Sequence, residues 1–319
     1  MIARGLQSRV AFLAVLAIVP LIADNALLNF LISTLIVALA AQGWNILAGY
    51  AGQYSFGHAA FFGTGAYATA VLQTQLGVNA WAGFAIGITL AALTGWIIGA
   101  LSFRSGLKGS YFALVTLAFA EVLRIAANAA GITGGAAGTL VKLDVGWQNL
   151  QFSSRTMFYW FALTLVGAVL IATSIVERRR FGAYMIAVRE NEASASALGI
   201  DSFRVKLIAI TASAAVTGAA GCLYVQYFLY IDANIAYGTA ISVEALVAPI
   251  VGGLGTALGP VVGALALHGI GELTKVIAGR TPGFDLVVFG VILILAVAFA
   301  PNGLVGIARH IRARARDGT

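Results

Sequence analysis

Apolar runs of about 20 residues recur along the chain, separated by short polar breaks. They lie near 10–23, 26–48, 57–76, 80–103, 110–131, 156–176, 204–230, 241–254, 256–278 and 284–301. A helix of that length crosses the roughly 30 Å hydrocarbon layer with every backbone polar group satisfied internally. A membrane barrel would show shorter, alternating segments. The pattern predicts an all-α polytopic membrane protein of about ten spans in a single domain, 1–319, with the first and eighth spans short for a full crossing. One polar interruption is long, ERRRFGAYMIAVRENEASASALGIDSFRVK at 177–206.

Composition sharpens this reading. The chain is 60% hydrophobic and 10% charged over 319 residues, more apolar surface than a soluble domain of that length could hide. Its single cysteine, Cys222, excludes an intramolecular disulfide. The formal charge of +7 resides mostly in loops and tail. With the N-terminus inside, Arg4, Arg9, Arg104, Lys108, the basic residues of 177–206 and Arg309, Arg312, Arg314 and Arg316 are all internal. Lys142, Arg155, Lys275 and Arg280 are external. This bias predicts that both termini and the polar segment are cytoplasmic. Arg4 and Arg9 before Val10–Ile22 resemble a signal peptide, but a second span starting at Ala26 favours a retained anchor.

Two glycine-rich interruptions stand out. The first runs from Gly49 to His58, where Gly52, Gln53, Ser55, Gly57 and His58 make either a broken helix beside a transport route or a plain turn. The second, Pro249 to Pro260, lacks the third glycine of a dinucleotide loop and follows no strand. Gly252, Gly253, Gly255, Gly259 and Pro260 there predict a tight turn between two short helices. Glycine pairs at 83/87, 95/99 and 259/263 predict close helix packing. The 131–155 loop begins too rich in glycine for a stable helix.

Glu121 and Arg124, three residues apart within a span, should pair and face the bundle interior, either lining a path or fixing helix rotation. Glu244, Glu272 and Lys275 are expected at span boundaries. His58 and His268 are expected to be polar packing residues, without neighbours at metal-ligand spacing. No nucleophile elbow, phosphate loop or paired-carboxylate motif occurs, so no catalytic residue, metal or bound cofactor is expected.

Within 177–206, Asn191 can cap a short helix through Glu192 to Leu198, Gly199 can end it, and Asp201 can cap the next span. Ala193, Ala195 and Ala197 would give that helix a slim profile, with Arg189 and Glu190 at the turn before it. The alternative, an amphipathic helix resting on lipid, would want bulky apolar residues on one face.

The run Ala187-Val-Arg-Glu-Asn-Glu-Ala193 with Ala197-Leu-Gly-Ile-Asp201 resembles the cytoplasmic coupling segment of ABC importer permeases. Gly49–His58 with Gly65-Ala-Tyr67, and Gly252–Pro260, are similar to two further signatures of the LivM-type permeases of branched-chain amino-acid importers. The three signatures occur in order, and the resemblance covers about 26–306. It implies a bacterial inner-membrane permease that pairs with a second, LivH-like permease. It also implies two cytoplasmic ATPases, which hold ATP and Mg, and a periplasmic binding protein. Arg189, Glu190, Asn191, Glu192, Ala193, Ala197, Leu198 and Gly199 would meet the ATPases, and transport would proceed by alternating access. Urea and short-amide importers share these signatures. An ion-coupled carrier using Glu121 and Arg124 as a proton relay is an alternative from another class, and a membrane scaffold a third.

Overall fold

The computed structural model describes residues 2–278, 287, 288, 290, 291 and 303–306. Most of the expected tenth span, Arg280, the basic residues from Arg309 onward, and the side chains of Arg4 and Lys275 lie outside the described residues.

The described chain is a helical bundle. Its helices are α1 (Ile2–Ile18), α2 (Asn25–Asn45), α3 (His58–Leu76), α4 (Ala80–Arg104), α5 (Gly109–Ala129) and α6 (Arg155–Val176). Then follow α7 (Arg180–Glu190), α8 (Glu192–Ala197), α9 (Ser202–Phe228), α10 (Ala233–Ala236), α11 (Thr239–Gly252) and α12 (Gly259–Ala278). Among the described residues, six helical stretches are long and apolar enough to cross a membrane: Asn25–Tyr50, Ala80–Arg104, Gly109–Ala129, Arg155–Val176, Ser202–Phe228 and Ala233–Gly252. The chain is therefore a multi-pass membrane protein. The helix α3 is not among the six, because its glycines, threonines and glutamines dilute its hydropathy, yet most of it is buried against α4, α5 and α9.

Burial sorts the helices. The apolar windows of α2 and α9 are each 67% buried, whereas that of α5 is only 28% buried. So α2 and α9 form the axis, and α5 lies at the edge. Small residues let α9 come close to its neighbours. A Cβ added at Gly221 would strike the Phe62 carbonyl oxygen of α3, and one at Gly218 would strike Ala91 of α4. Of the expected packing glycines, positions 87, 95, 99, 259 and 263 sit at such crossings and Gly83 does not. Helices that approach this closely gain dispersion contacts that lipid tails cannot match.

The first helix packs on α6, where the Tyr159 hydroxyl donates to the Leu16 carbonyl at 2.8 Å and Trp160 Nε1 to that of Ala17 at 3.2 Å. The 131–155 loop is more ordered than its glycines predict. After two 3-10 turns it forms β1 (Thr139–Leu140), antiparallel to β2 (Tyr230–Ile231), with Thr139 opposite Ile231. Leu229 takes a left-handed conformation (φ 56°) to end α9 and start β2. A strand of two residues leaves no periodicity to read.

Gly221→Val should cost about 1–3 kcal/mol through overpacking and lower the thermal midpoint of the purified protein. Gly83→Ala, where an added Cβ meets nothing nearer than 3.6 Å, should leave that midpoint unchanged or raised. Equal melting of the two variants would contradict this account of the α3–α9 contact.

Candidate functional site

The polar segment after α6 folds as two short helices. Sequence reading missed the first, α7, although Phe181, Met185 and Val188 recur at helical spacing; Met185 and Val188 are buried. The charges at either end of α7 masked that weak stripe. The second helix, α8, begins as expected: the Asn191 side chain accepts from Ser194 N at 3.0 Å. Gly199 has φ +86° and ends it. Asp201 caps α9, accepting from Arg204 N at 3.0 Å. Ala193, Ala197 and Leu198 are exposed, but Ala195 is buried against the bundle. The outward profile is therefore two alanines beside a prominent Leu198, because a helix that short must turn one side inward to be held.

Glu192 holds it. Its carboxylate lies 2.6 Å from Lys206 Nζ in the second turn of α9 and 3.0 Å from Lys108 Nζ in the α4–α5 turn. Lys206 is buried, with its ammonium 4.9 Å from the centre of the Phe103 ring. Burial pushes the Glu192 carboxyl up, but hydrogen bonds and charge from Lys206 and Lys108 outweigh it and hold the group below the ordinary carboxylate value.

Arg189 was expected at a turn facing outward. It lies instead in the last turn of α7 and reaches inward. Its Nη1 donates to the Gly49 carbonyl at 2.7 Å, while Nε and Nη2 donate to Glu190 Oε1 at 3.0 and 2.6 Å. The acceptor has a physical origin. The chain after α2 widens into a π-turn at Ile46–Tyr50, and the last carbonyls of a helix lack intrahelical partners. A guanidinium there also opposes the negative helix end. Gly52, at φ +70°, lies under the Arg189 side chain, and a Cβ there would strike it. From the other side, Asn45 Oδ1 accepts from Gly255 N at 2.9 Å and Asn45 Nδ2 donates to the Thr256 carbonyl at 3.0 Å. The three stretches singled out in the sequence thus meet at one point.

The first interruption is a break within the bundle. Residues 51–57 are non-helical, and α3 starts at His58, beside Ser213, about 16 Å from the start of α9 at 1.5 Å per residue. Ser213 Oγ donates to the Gly43 carbonyl at 2.6 Å and so accepts from His58 Nε2 at 2.9 Å. That leaves Nδ1 to accept from Ser55 Oγ at 3.1 Å, and Trp44 Nε1 donates to the Ser55 carbonyl at 2.8 Å. Ser55, Gly57 and His58 are buried inside this chain, with Gly52 and Gln53 half-buried. Ser55 Oγ accepts from the Gly57 amide at 3.2 Å, His58 braces Ser55 against Ser213, and Gly57 leaves room for the Thr116 carbonyl. The second interruption is the turn expected: residues 253–258 link Gly252, the last residue of α11, to Gly259 and Pro260, the first of α12, with Gly253 and Gly255 at positive φ.

Glu121 and Arg124 do pair, at 2.7 and 2.9 Å, and Arg124 Nη1 also donates to Asn234 of α10 at 2.7 Å. They do not face the interior: the pair lies on the exposed side of α5. His268 packs as a polar residue, with Nδ1 3.1 Å from Thr34 Oγ1 and its ring beside Phe30, and with Glu244, Ser33, Phe62 and Tyr224 it also lines a cavity of about 250 Å³. Their separation in sequence hid that convergence.

A multi-pass bundle with a broken helix and a polar segment wired to the break has the architecture of a membrane permease. The chain belongs to the family described as branched-chain amino acid transport system / permease component, whose profile matches residues 26–297. It is 29% identical to the high-affinity branched-chain amino acid transport system permease protein LivM of Escherichia coli K12, over 94% of this chain and 75% of that one. It is 28% identical to the LivH protein of the same organism, over 84% and 91%. It is 26% identical to the probable LivM of Methanocaldococcus jannaschii, over 78% and 77%. No solved structure matches it significantly.

Glu192→Gln should destabilise the protein by about 1–3 kcal/mol, because it strips the buried Lys206 of its counter-charge. The wild-type contribution has a fixed sign: the folded carboxyl ionises below its ordinary value of 4.5, so the contribution is full above that pH and fades as pH falls through the folded value. Melting curves followed from pH 7 down to about pH 2 should converge for wild type and variant at the acid end. A constant gap across that range would rule out the ion pair as the cause.

Proposed function

We propose that this chain is the permease subunit of an ATP-driven importer for branched-chain amino acids, moving its substrate by alternating access. In this reading it spans the inner membrane ten times with both termini in the cytoplasm. It works with a LivH-like second permease, two cytoplasmic ATPases that hold ATP and Mg, and a periplasmic binding protein. The names of its relatives favour branched-chain amino acids over urea or short amides.

The observation that carries the reading is the attachment of α8. An exposed face formed by Ala193, Ala197 and Leu198 is offered to a partner, while the opposite side is bonded through Glu192 to α9 and, two residues before Asn191, through Arg189 to the end of α2. A push on α8 therefore reaches the two axial helices directly. Asn191 and Asp201 cap the helices on either side of the 198–201 turn and keep the lever short and stiff. Glu190 and Gly199 stay at the surface, where an ATPase could reach them.

Arg189→Ala removes a charge-assisted hydrogen bond, a loss of roughly 1.5–3 kcal/mol of coupling. In proteoliposomes holding the complete importer, it should reduce leucine carried per ATP by about tenfold or more while ATP hydrolysis continues. Uptake should follow ATP and ignore an imposed proton gradient. Normal coupling in the variant would remove the lever, and gradient-driven uptake by the wild type would remove the importer.

A further inference from the structure

Glu121 stands about 18 Å from the start of α5 and Arg124 about 7.5 Å from its end, at 1.5 Å per residue. Both lie well within a stretch apolar and long enough to cross a membrane. Yet their side chains are 49% and 29% exposed on this chain. Ionised groups facing hydrocarbon are heavily penalised, so lipid does not cover this face. The surface around the pair is apolar and branched. Leu114, Val122 and Ile125 are 59%, 61% and 56% exposed, and Leu114, Ala118, Glu121 and Ile125 align along one side of the helix.

We propose that this stripe is where the permeation path holds an amino acid in transit. Arg124 takes the α-carboxylate, Glu121 takes the ammonium group, and the branched side chain rests on Leu114, Ala118 and Ile125. The inference rests on the importer reading above. A neutral pair of adjacent opposite charges is the electrostatic complement of a zwitterion. Arg124 spends three of its five N–H groups on Glu121 and Asn234, which leaves two for a further acceptor. The energetics suit a path rather than a trap. Each substrate contact with Glu121 and Arg124 weakens the pair they make with each other, so capture is shallow and release is fast, as conduction requires. A second protein chain seated here would have to present its own pair of opposite charges at matching spacing.

Cys222 is buried, so Ala118→Cys would supply the accessible thiol on the stripe. The complete importer with its binding protein is reconstituted in proteoliposomes and labelled with a maleimide. Saturating L-leucine should slow labelling at position 118 by about threefold or more. 4-Methylpentanoate and 3-methylbutylamine, each lacking one of leucine's two charged groups, should not. Glu121→Gln and Arg124→Gln should each lower leucine carried per ATP by about fivefold or more. The exchange Glu121→Arg with Arg124→Glu keeps the ion pair but misplaces the side chain, so it should not restore transport. Restoration by that exchange would make the pair purely structural. Protection conferred by the second permease and not by leucine would make the stripe a subunit interface. Either result overturns the proposal while the importer reading stands; absence of ATP-driven leucine uptake in the wild type overturns both.

Discussion

The contact between Arg189 and the Gly49 carbonyl is the constraint around which the rest is arranged. A helix that stops inside a protein leaves carbonyls without partners, and α2 stops where water is scarce. The chain supplies a cation from another element, 140 positions away in sequence, to meet one of them. That choice ties a polar segment to the axis of the bundle. It also sets the backbone requirements nearby: Gly52 must take a positive φ beneath the arginine, and Gly49 must leave room for Asn45 and the Gly255 amide.

The same logic governs the rest of the break. Irregular backbone buried in a membrane bundle survives only if each donor and acceptor is answered. Here Trp44, Ser55, Thr116 and Ser242 answer them, and His58 braces Ser55 against Ser213. These side chains hold the two ends of a broken helix in one arrangement, so that a displacement of α7 and α8 moves a fixed body. Glu192 completes the arrangement by making Lys206, otherwise a buried unpaired cation, the fastening of α8 to α9.

Charge placement separates two regions of the bundle. At the polar segment, Glu192 joins distant elements through Lys206 and Lys108 and is partly buried. On α5 opposite charges join neighbours on one helix and stay exposed. An interior location for Glu121 and Arg124 was the natural inference from cost alone, since a helix in lipid should turn charges toward protein. The structure turns them outward because α5 is an edge helix of this chain, with its interior side already filled by Phe112, Ala113, Thr116 and Ala120.

Much was legible beforehand because it depends on local physics. Span lengths, the caps at Asn191 and Asp201, the left-handed Gly199 and the turn at Gly252–Pro260 follow from hydropathy, hydrogen-bonding side chains and backbone freedom within a few residues. The three signatures of the family could likewise be read in order along the chain. Their meeting point could not, because Arg189, Gly49 and Gly255 are joined only by the way α2, α7 and the α11–α12 turn pack together. The inward turn of Ala195, the outward turn of Glu121 and the cavity shared by Glu244 and His268 were equally out of reach. Residue type specifies what a side chain can bond to. Which partner lies within 3 Å, and which side of a helix is already occupied, is decided by neighbours far away in sequence.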